Sequence, residues 1–119
     1  MKIAVTSTGT DLDAPVDSRF GRAQYILIVD SDTLDFETLD NKENVHALKG
    51  AGIQAATMIG NKGAEVLITG FCGPTAYKTL EKANIRVAGN AQGTVRDAVS
   101  AYMEGRLPLI DEPNAEGQW

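Results

Sequence analysis

A chain of 119 residues with 43% hydrophobic residues is long enough to bury one ordinary core, and its length calls for no second domain. A net charge of −5 argues against an electrostatic grip on nucleic acid or on an anionic membrane, since both need clustered Lys and Arg. Cys72 is the sole cysteine and His46 the sole histidine, which excludes an intrachain disulfide and any site of four Cys or His ligands from one chain. No stretch approaches about 20 apolar residues, and Met1 to Thr6 lacks the apolar core of a signal peptide, so a cytoplasmic protein is expected.

In chain order, Lys2 to Thr6 reads as a short strand that breaks into the polar Ser7-Thr8-Gly9-Thr10. A long loop follows through Asp11 to Ser18, with an insertion-like Thr10 to Pro15. Its end, Arg19-Phe20-Gly21-Arg22, sets two guanidinium groups around an aromatic ring, either facing an anion or pairing with Asp13 and Asp17 on the surface. Gln24 to Val29 is the next strand. Asp30-Ser31-Asp32-Thr33 is a turn of residues that bond their own backbone, and Leu34 to Leu39 alternates apolar with polar, so the two strands form an antiparallel hairpin.

Asn41 to Gly50 has no clean period and reads as a loop holding His46. A small-residue helix starts at Gly50-Ala51-Gly52 with a packing stripe of Ile53, Ala56 and Ile59, and Gly60 or Gly63 ends it. Val66 to Ile68 is a buried strand that turns at Thr69-Gly70-Phe71-Cys72-Gly73. Pro74 suits the first helical position, whose N–H would be unbonded anyway. Ala76, Tyr77, Leu80 and Ala83 continue that helix, and Ile85 to Ala88 is a further strand. After the loop Gly89 to Gly93, Thr94 and Asp97 resemble a capping box, and Val95, Ala98, Val99, Tyr102 and Met103 fall at helical spacing. Leu107 to Ile110 docks briefly, and residues 108–119 read as a flexible tail outside a single domain of residues 1–107.

The order strand, hairpin, helix, strand, helix, strand, helix implies an α/β fold: a mixed sheet with an N-terminal antiparallel meander, later parallel strands and helices on both faces. The loops after Thr6, Thr69 and Ala88 then meet at one sheet edge, where open α/β sheets bind ligands. All three contain glycine. They predict an anion cradle of backbone amides, with Ser7, Thr8, Thr69 and Asn90 lining it and the first turn after Gly70 to Pro74 contributing its helix dipole. Cys72 is either a soft metal ligand or a small core residue. His46 is either a ligand or a solvated loop residue.

Several segments together resemble the dinitrogenase iron-molybdenum cofactor biosynthesis family (NifX type): Gly52-Ile53-Gln54-Ala55-Ala56, Val66 to Gly70 with Gly73-Pro74-Thr75-Ala76, Gly93-Thr94-Val95 with Asp97-Ala98-Val99, and Arg19 to Ala23. The resemblance covers about residues 1 to 107 and is closest to the family's small single-domain form. It implies a ribonuclease H-like three-layer fold and non-catalytic binding of an anionic metal-sulfide cluster. The cluster so implied is of molybdenum-copper type, or alternatively an iron-molybdenum or iron-sulfur cluster. It also implies partnership with P-loop ATPases of ParA/MinD type. The cluster-facing side it implies comprises Arg19, Phe20, Gly21, Arg22, the His46 loop, and Gly70, Phe71, Cys72, Gly73 and Pro74, with Cys72 and His46 as candidate metal ligands.

Other functions compete. Nuclease chemistry needs acidic residues on the sheet to hold magnesium, and Ile3-Ala4-Val5-Thr6 has none. A phosphate or nucleotide-binding regulator is the stronger rival, although neither a P-loop lysine motif nor a GxGxxG fingerprint is present. A cofactor-free interaction module is the third reading.

Overall fold

A computed structural model describes residues 1–42 and 50–115. Among these residues the chain forms β1 (Lys2–Ser7), β2 (Tyr25–Asp30), β3 (Phe36–Asp40), α1 (Ala51–Asn61), β4 (Val66–Ile68), α2 (Pro74–Lys82), β5 (Arg86–Ala88) and α3 (Val95–Met103). The order of elements is the one expected from the sequence.

The strands lie in the order β3-β2-β1-β4-β5. β1 pairs antiparallel with β2 and β2 with β3, while β1–β4 and β4–β5 are parallel. β1 is the central strand, and Ile3 to Ser7 are all buried because the sheet is covered on both faces. One face packs Ala4, Ile26, Ile28 and Leu67 against Ala55, Ala56 and Ile59 of α1 and Ala76 and Leu80 of α2. The other packs Ile3, Val5, Leu27, Val29 and Ile68 against Val95, Ala98 and Val99 of α3. Side chains alternate between faces along a strand, so one β1 sequence feeds both cores.

Some expected core positions lie elsewhere. In α1 the buried residues are Ala51, Ala55, Ala56 and Ile59, and Ile53 is 41% exposed. Positions i, i+4 and i+8 share a helix face, and Ile53, two residues from both Ala51 and Ala55, points away from it. Ala83 is exposed where α2 stops, and Met103 is exposed on the last turn of α3. The hairpin turn is longer than expected: Asp30 accepts from Asp32 N (2.8 Å) and Thr33 N (3.3 Å), and Leu34 adopts φ 63°. Those backbone donors hold the Asp30 carboxyl below its usual range.

Thr94 does cap α3. Its hydroxyl accepts from Asp97 N at 3.1 Å while the Asp97 carboxylate accepts from Thr94 N at 3.2 Å; such caps typically contribute about 1 kcal/mol.

The segment after α3 docks further than the sequence suggested. Ile110 N donates to Val87 O at 2.8 Å, Leu109 bridges Ala88, and Asn114 reaches the β4–α2 corner.

Candidate functional site

β1, β3, β4 and β5 run in the same direction, so their carboxyl ends share one edge with the start of β2 and the N-termini of all three helices. The three glycine loops do meet there. Thr6 Oγ1 lies 2.9 Å from Thr69 Oγ1 and donates to Asp17 O at 2.6 Å; Ala91 N donates to Thr69 O and Asn90 N to Gly70 O.

Much of the hydrogen-bonding capacity expected to face a ligand is instead used within the fold. Phe71 N donates to Ser18 O at 2.7 Å and Cys72 N to Asn114 Oδ1 at 2.7 Å. Buried Ser7 donates its hydroxyl to Gly9 O and accepts from Gly9 N, and Thr8 Oγ1 donates to Pro15 O. These bonds fold the long first loop back on itself. An exposed amide cradle is therefore replaced by a network that fixes the shape of the edge, since buried backbone groups must find partners.

The same loop closes the end of α3. Val95 N donates to Ala14 O, Arg96 N to Leu12 O and Val16 N to Gly93 O, and Asp13 pairs with Arg96 at 3.2 Å. The insertion-like Thr10 to Pro15 thus occupies that helix terminus.

α1 and α2 present a different picture. Their N-caps are Gly50 (φ 77°) and Gly73, no side chain caps either, and neither has an acidic residue in its first turn. Among the described residues no loop carbonyl sits on either first turn as on α3. Two helix dipoles therefore end, positive pole outward, on adjacent elements.

Between them runs Arg19 to Arg22. Arg19 bridges Phe71, and Phe20 N donates to Phe71 O at 3.1 Å. The Phe20 ring is fully buried and anchors the segment. Gly21, at φ 88°, passes so close to α1 that a Cβ would stand 3.0 Å from Gly52 Cα. Asn41, buried at the end of β3, donates Nδ2 to Ala23 O at 2.8 Å and supports the same turn. Arg19 is exposed and Arg22 half-buried, and among the described residues Arg19 forms no ion pair; Asp13 pairs with Arg96 instead. Phe71 (38% exposed) and Ile53 give this edge an apolar component.

Sequence reading missed Asn41, Asn114 and Lys42, whose ammonium stands 5.0 Å from the Tyr25 ring centroid. A lone Asn or Lys outside a periodic element carries no signal of its role until its partners are known.

Cys72 is fully buried among the residues that face α1 and α2, with its thiol 3.8 Å from Gly73 O. Burial pushes the thiol from 9.0 up to about 12. The unfolded chain releases this proton near pH 9 and the folded chain retains it, so the stability it contributes is complete below pH 9 and is lost as pH rises from 9 towards 12. Denaturation midpoints at pH 8 and pH 11 should thus fall further apart for the wild type than for Cys72→Ala; equal separations would contradict this burial.

His46 lies outside the described residues. Among the described residues no three His, Cys, Asp or Glu side chains converge as a metal ion would require, and no helix is long and apolar enough to cross a membrane.

A mixed five-stranded sheet with helices on both faces, and an edge that carries Arg19, Arg22 and Phe71, define a class of small α/β domains. The chain belongs to the family described as dinitrogenase iron-molybdenum cofactor, whose profile matches residues 1–105. It is similar to the orange protein from Desulfovibrio gigas, solved in its apo form, with 42% identity, 96% coverage of each chain and a TM-score of 0.93. A Thermotoga structure provisionally assigned to NifB is 34% identical, covers 98% of each chain and has a TM-score of 0.84. An uncharacterized protein of Methanocaldococcus jannaschii is 25% identical over 93% of this chain and 92% of its own length.

Proposed function

We propose that this protein binds and carries an anionic metal-sulfide cluster, without catalysing a reaction on it, at the edge where α1 and α2 begin. The observation that carries this reading is the contrast among the three helix ends: among the described residues, loop carbonyls close α3 and none sits on the first turn of α1 or α2, beside which Arg19, Arg22 and Phe71 run. Helix N-termini and guanidinium groups favour negative charge, and an aromatic ring tolerates the large, weakly hydrated sulfur surface that a small oxyanion lacks. The family description and the likeness to the orange protein support cluster carriage.

The molybdenum-copper form is the finer reading, with an iron-molybdenum cluster as its alternative. The depth of Cys72 argues for a cluster held by charge and shape with no bond to this thiol; His46 stays a candidate ligand. Association with ParA/MinD-type ATPases rests on family resemblance alone. The strand order, antiparallel on one side of β1 and parallel on the other, supports the ribonuclease H-like reading of the fold.

Protein reconstituted with tetrathiomolybdate and copper should become strongly coloured and keep molybdenum and copper through desalting. Colourless, metal-free protein after that treatment would sink the proposal. If nucleotides raise the melting temperature instead, the phosphate-binding alternative takes its place, because a ligand specific to the folded state must stabilise it.

A further inference from the structure

The β4–α2 corner at Gly70–Cys72 is gripped from two sides. On one, Ser18 O and Phe20 N bond Phe71. On the other lies Asn114, from the segment beyond the residues that the family profile matches. Its Oδ1 accepts from Cys72 N at 2.7 Å, its Nδ2 donates to Gly70 O at 3.0 Å, and its own N–H donates to Cys72 O at 3.2 Å. One residue thus binds three backbone groups of the corner.

Gly89 makes the approach possible: a Cβ there would stand 2.7 Å from Asn114 Nδ2 and 3.2 Å from Ile110 Cγ2. Before it reaches Asn114 the segment is held at a few points: Leu107 and Ile110 pack half-buried against the two cores and Leu109 bridges Ala88. Ile110 N bonds Val87 O, Tyr77 Oη donates to Ile110 O at 3.4 Å, and a cavity of about 630 Å³ lies between it and Glu81, Ile85 and Arg86. With Pro108, Leu109, Asp111 and Glu112 exposed and only Leu107 and Ile110 giving up apolar contact, the segment can lift without unfolding the sheet, since local opening costs less where few apolar contacts are lost.

We propose that residues 107–115 form a strap whose Asn114 locks the β4–α2 corner, positioning Phe71 at the cluster-facing edge and keeping the Cys72 thiol out of reach. Its positioning half rests on the cluster reading above; its gating half does not. With the strap down, a soft cluster meets no protein thiolate that could compete for its copper. With the strap lifted, the Cys72 amide loses its acceptor and the corner loosens around the thiol.

The test compares full-length wild type, Asn114→Ala and Asn114→Asp. Asp keeps the acceptor for Cys72 N but loses the donor to Gly70 O. Reaction of the metal-free, folded proteins with a disulfide thiol reagent should be slowest for wild type, intermediate for Asn114→Asp, and faster for Asn114→Ala by about tenfold or more, as expected for one or two lost hydrogen bonds. Retention of the thiomolybdate-copper cluster should fall in the same order, while each variant stays cooperatively folded with a melting temperature lowered by only the several degrees that the same lost bonds imply.

Thiol protection unchanged in Asn114→Ala overturns the gate, and equal cluster retention overturns the positioning role. Failure of wild type to take up the cluster removes the cluster reading and the positioning half with it, while the thiol rates still decide the gate. If Asn114→Ala does not fold, native-state hydrogen exchange of wild type decides: the amides of Cys72, Ile110 and Asn114 should open together below global unfolding. Exchange of Cys72 only by global unfolding overturns the strap.

Discussion

Replacing Arg19 and Arg22 together with Ala is expected to weaken retention of the thiomolybdate-copper cluster by on the order of 10- to 100-fold while leaving the fold intact, on the scale of one to two charge-assisted contacts. The anchor of the segment is Phe20, fully buried, and its backbone bond to Phe71 uses no guanidinium. Removing the two charges should therefore alter the field at the edge while buried Phe20 keeps the segment seated. Salt screens the attraction of the exposed Arg19 for an anion, so retention should fall with salt in wild type and less steeply in the double variant.

Lysine at both positions separates charge from shape. It keeps the charge but loses the planar fork that orients on an anion, so partial retention is expected. Retention by the double alanine protein equal to wild type would return both arginines to the role of surface residues. The measurement is metal content after desalting, beside a melting curve for each protein.

Gly70→Ala should be the most damaging small substitution in the site. A Cβ at Gly70 would stand 2.6 Å from Ser18 O and 2.7 Å from Ser18 Cα, both backbone atoms that no rotamer change can move. The segment carrying Ser18 would have to retreat, stretching the 2.7 Å bond from Phe71 N to Ser18 O and pulling on buried Phe20. Such overpacking typically costs about 1–3 kcal/mol, which in a domain of this size lowers the melting temperature by roughly 10 °C. Gly50→Ala is the matched control: its φ of 77° makes alanine unfavourable, but among the described residues no atom lies within 4 Å of the added one. A melting temperature for Gly70→Ala within a degree or two of wild type would show that the 18–20 segment moves freely and that the corner is not clamped. Cluster retention should fall as well, because Arg19 and Phe71 move with that segment.

How far the site could be read from the sequence depended on the kind of signal. Glycines and prolines marked the corners where strands give way to helices, so Gly70 to Pro74, Gly50 and Gly93 were placed in the right loops. The Arg19 to Arg22 segment stood out because positive charge is scarce in an acidic chain. What those groups bond to was not legible. The amides of Phe71 and Cys72 look available until Ser18 and Asn114 are seen to hold them, and residues 42 positions apart meet with no local pattern to announce it. The opposite error fell on Ile53: a bulky apolar residue at helical spacing reads as core, but three alanines and Ile59 form the buried face.

The sequence by itself determined the type and order of the elements, the capped start of α3 and the family, because periodicity, caps and turn residues act over a few neighbouring positions. Only the tertiary structure decided that carbonyls of the first loop close α3 while Arg19 to Arg22 run beside the starts of α1 and α2, and that Cys72 lies in the core. It likewise showed that Asn114 is seated on the β4–α2 corner. Those outcomes depend on which distant backbone groups satisfy each other once the sheet is assembled, and hydrogen-bond partners separated by dozens of residues leave no period in the sequence.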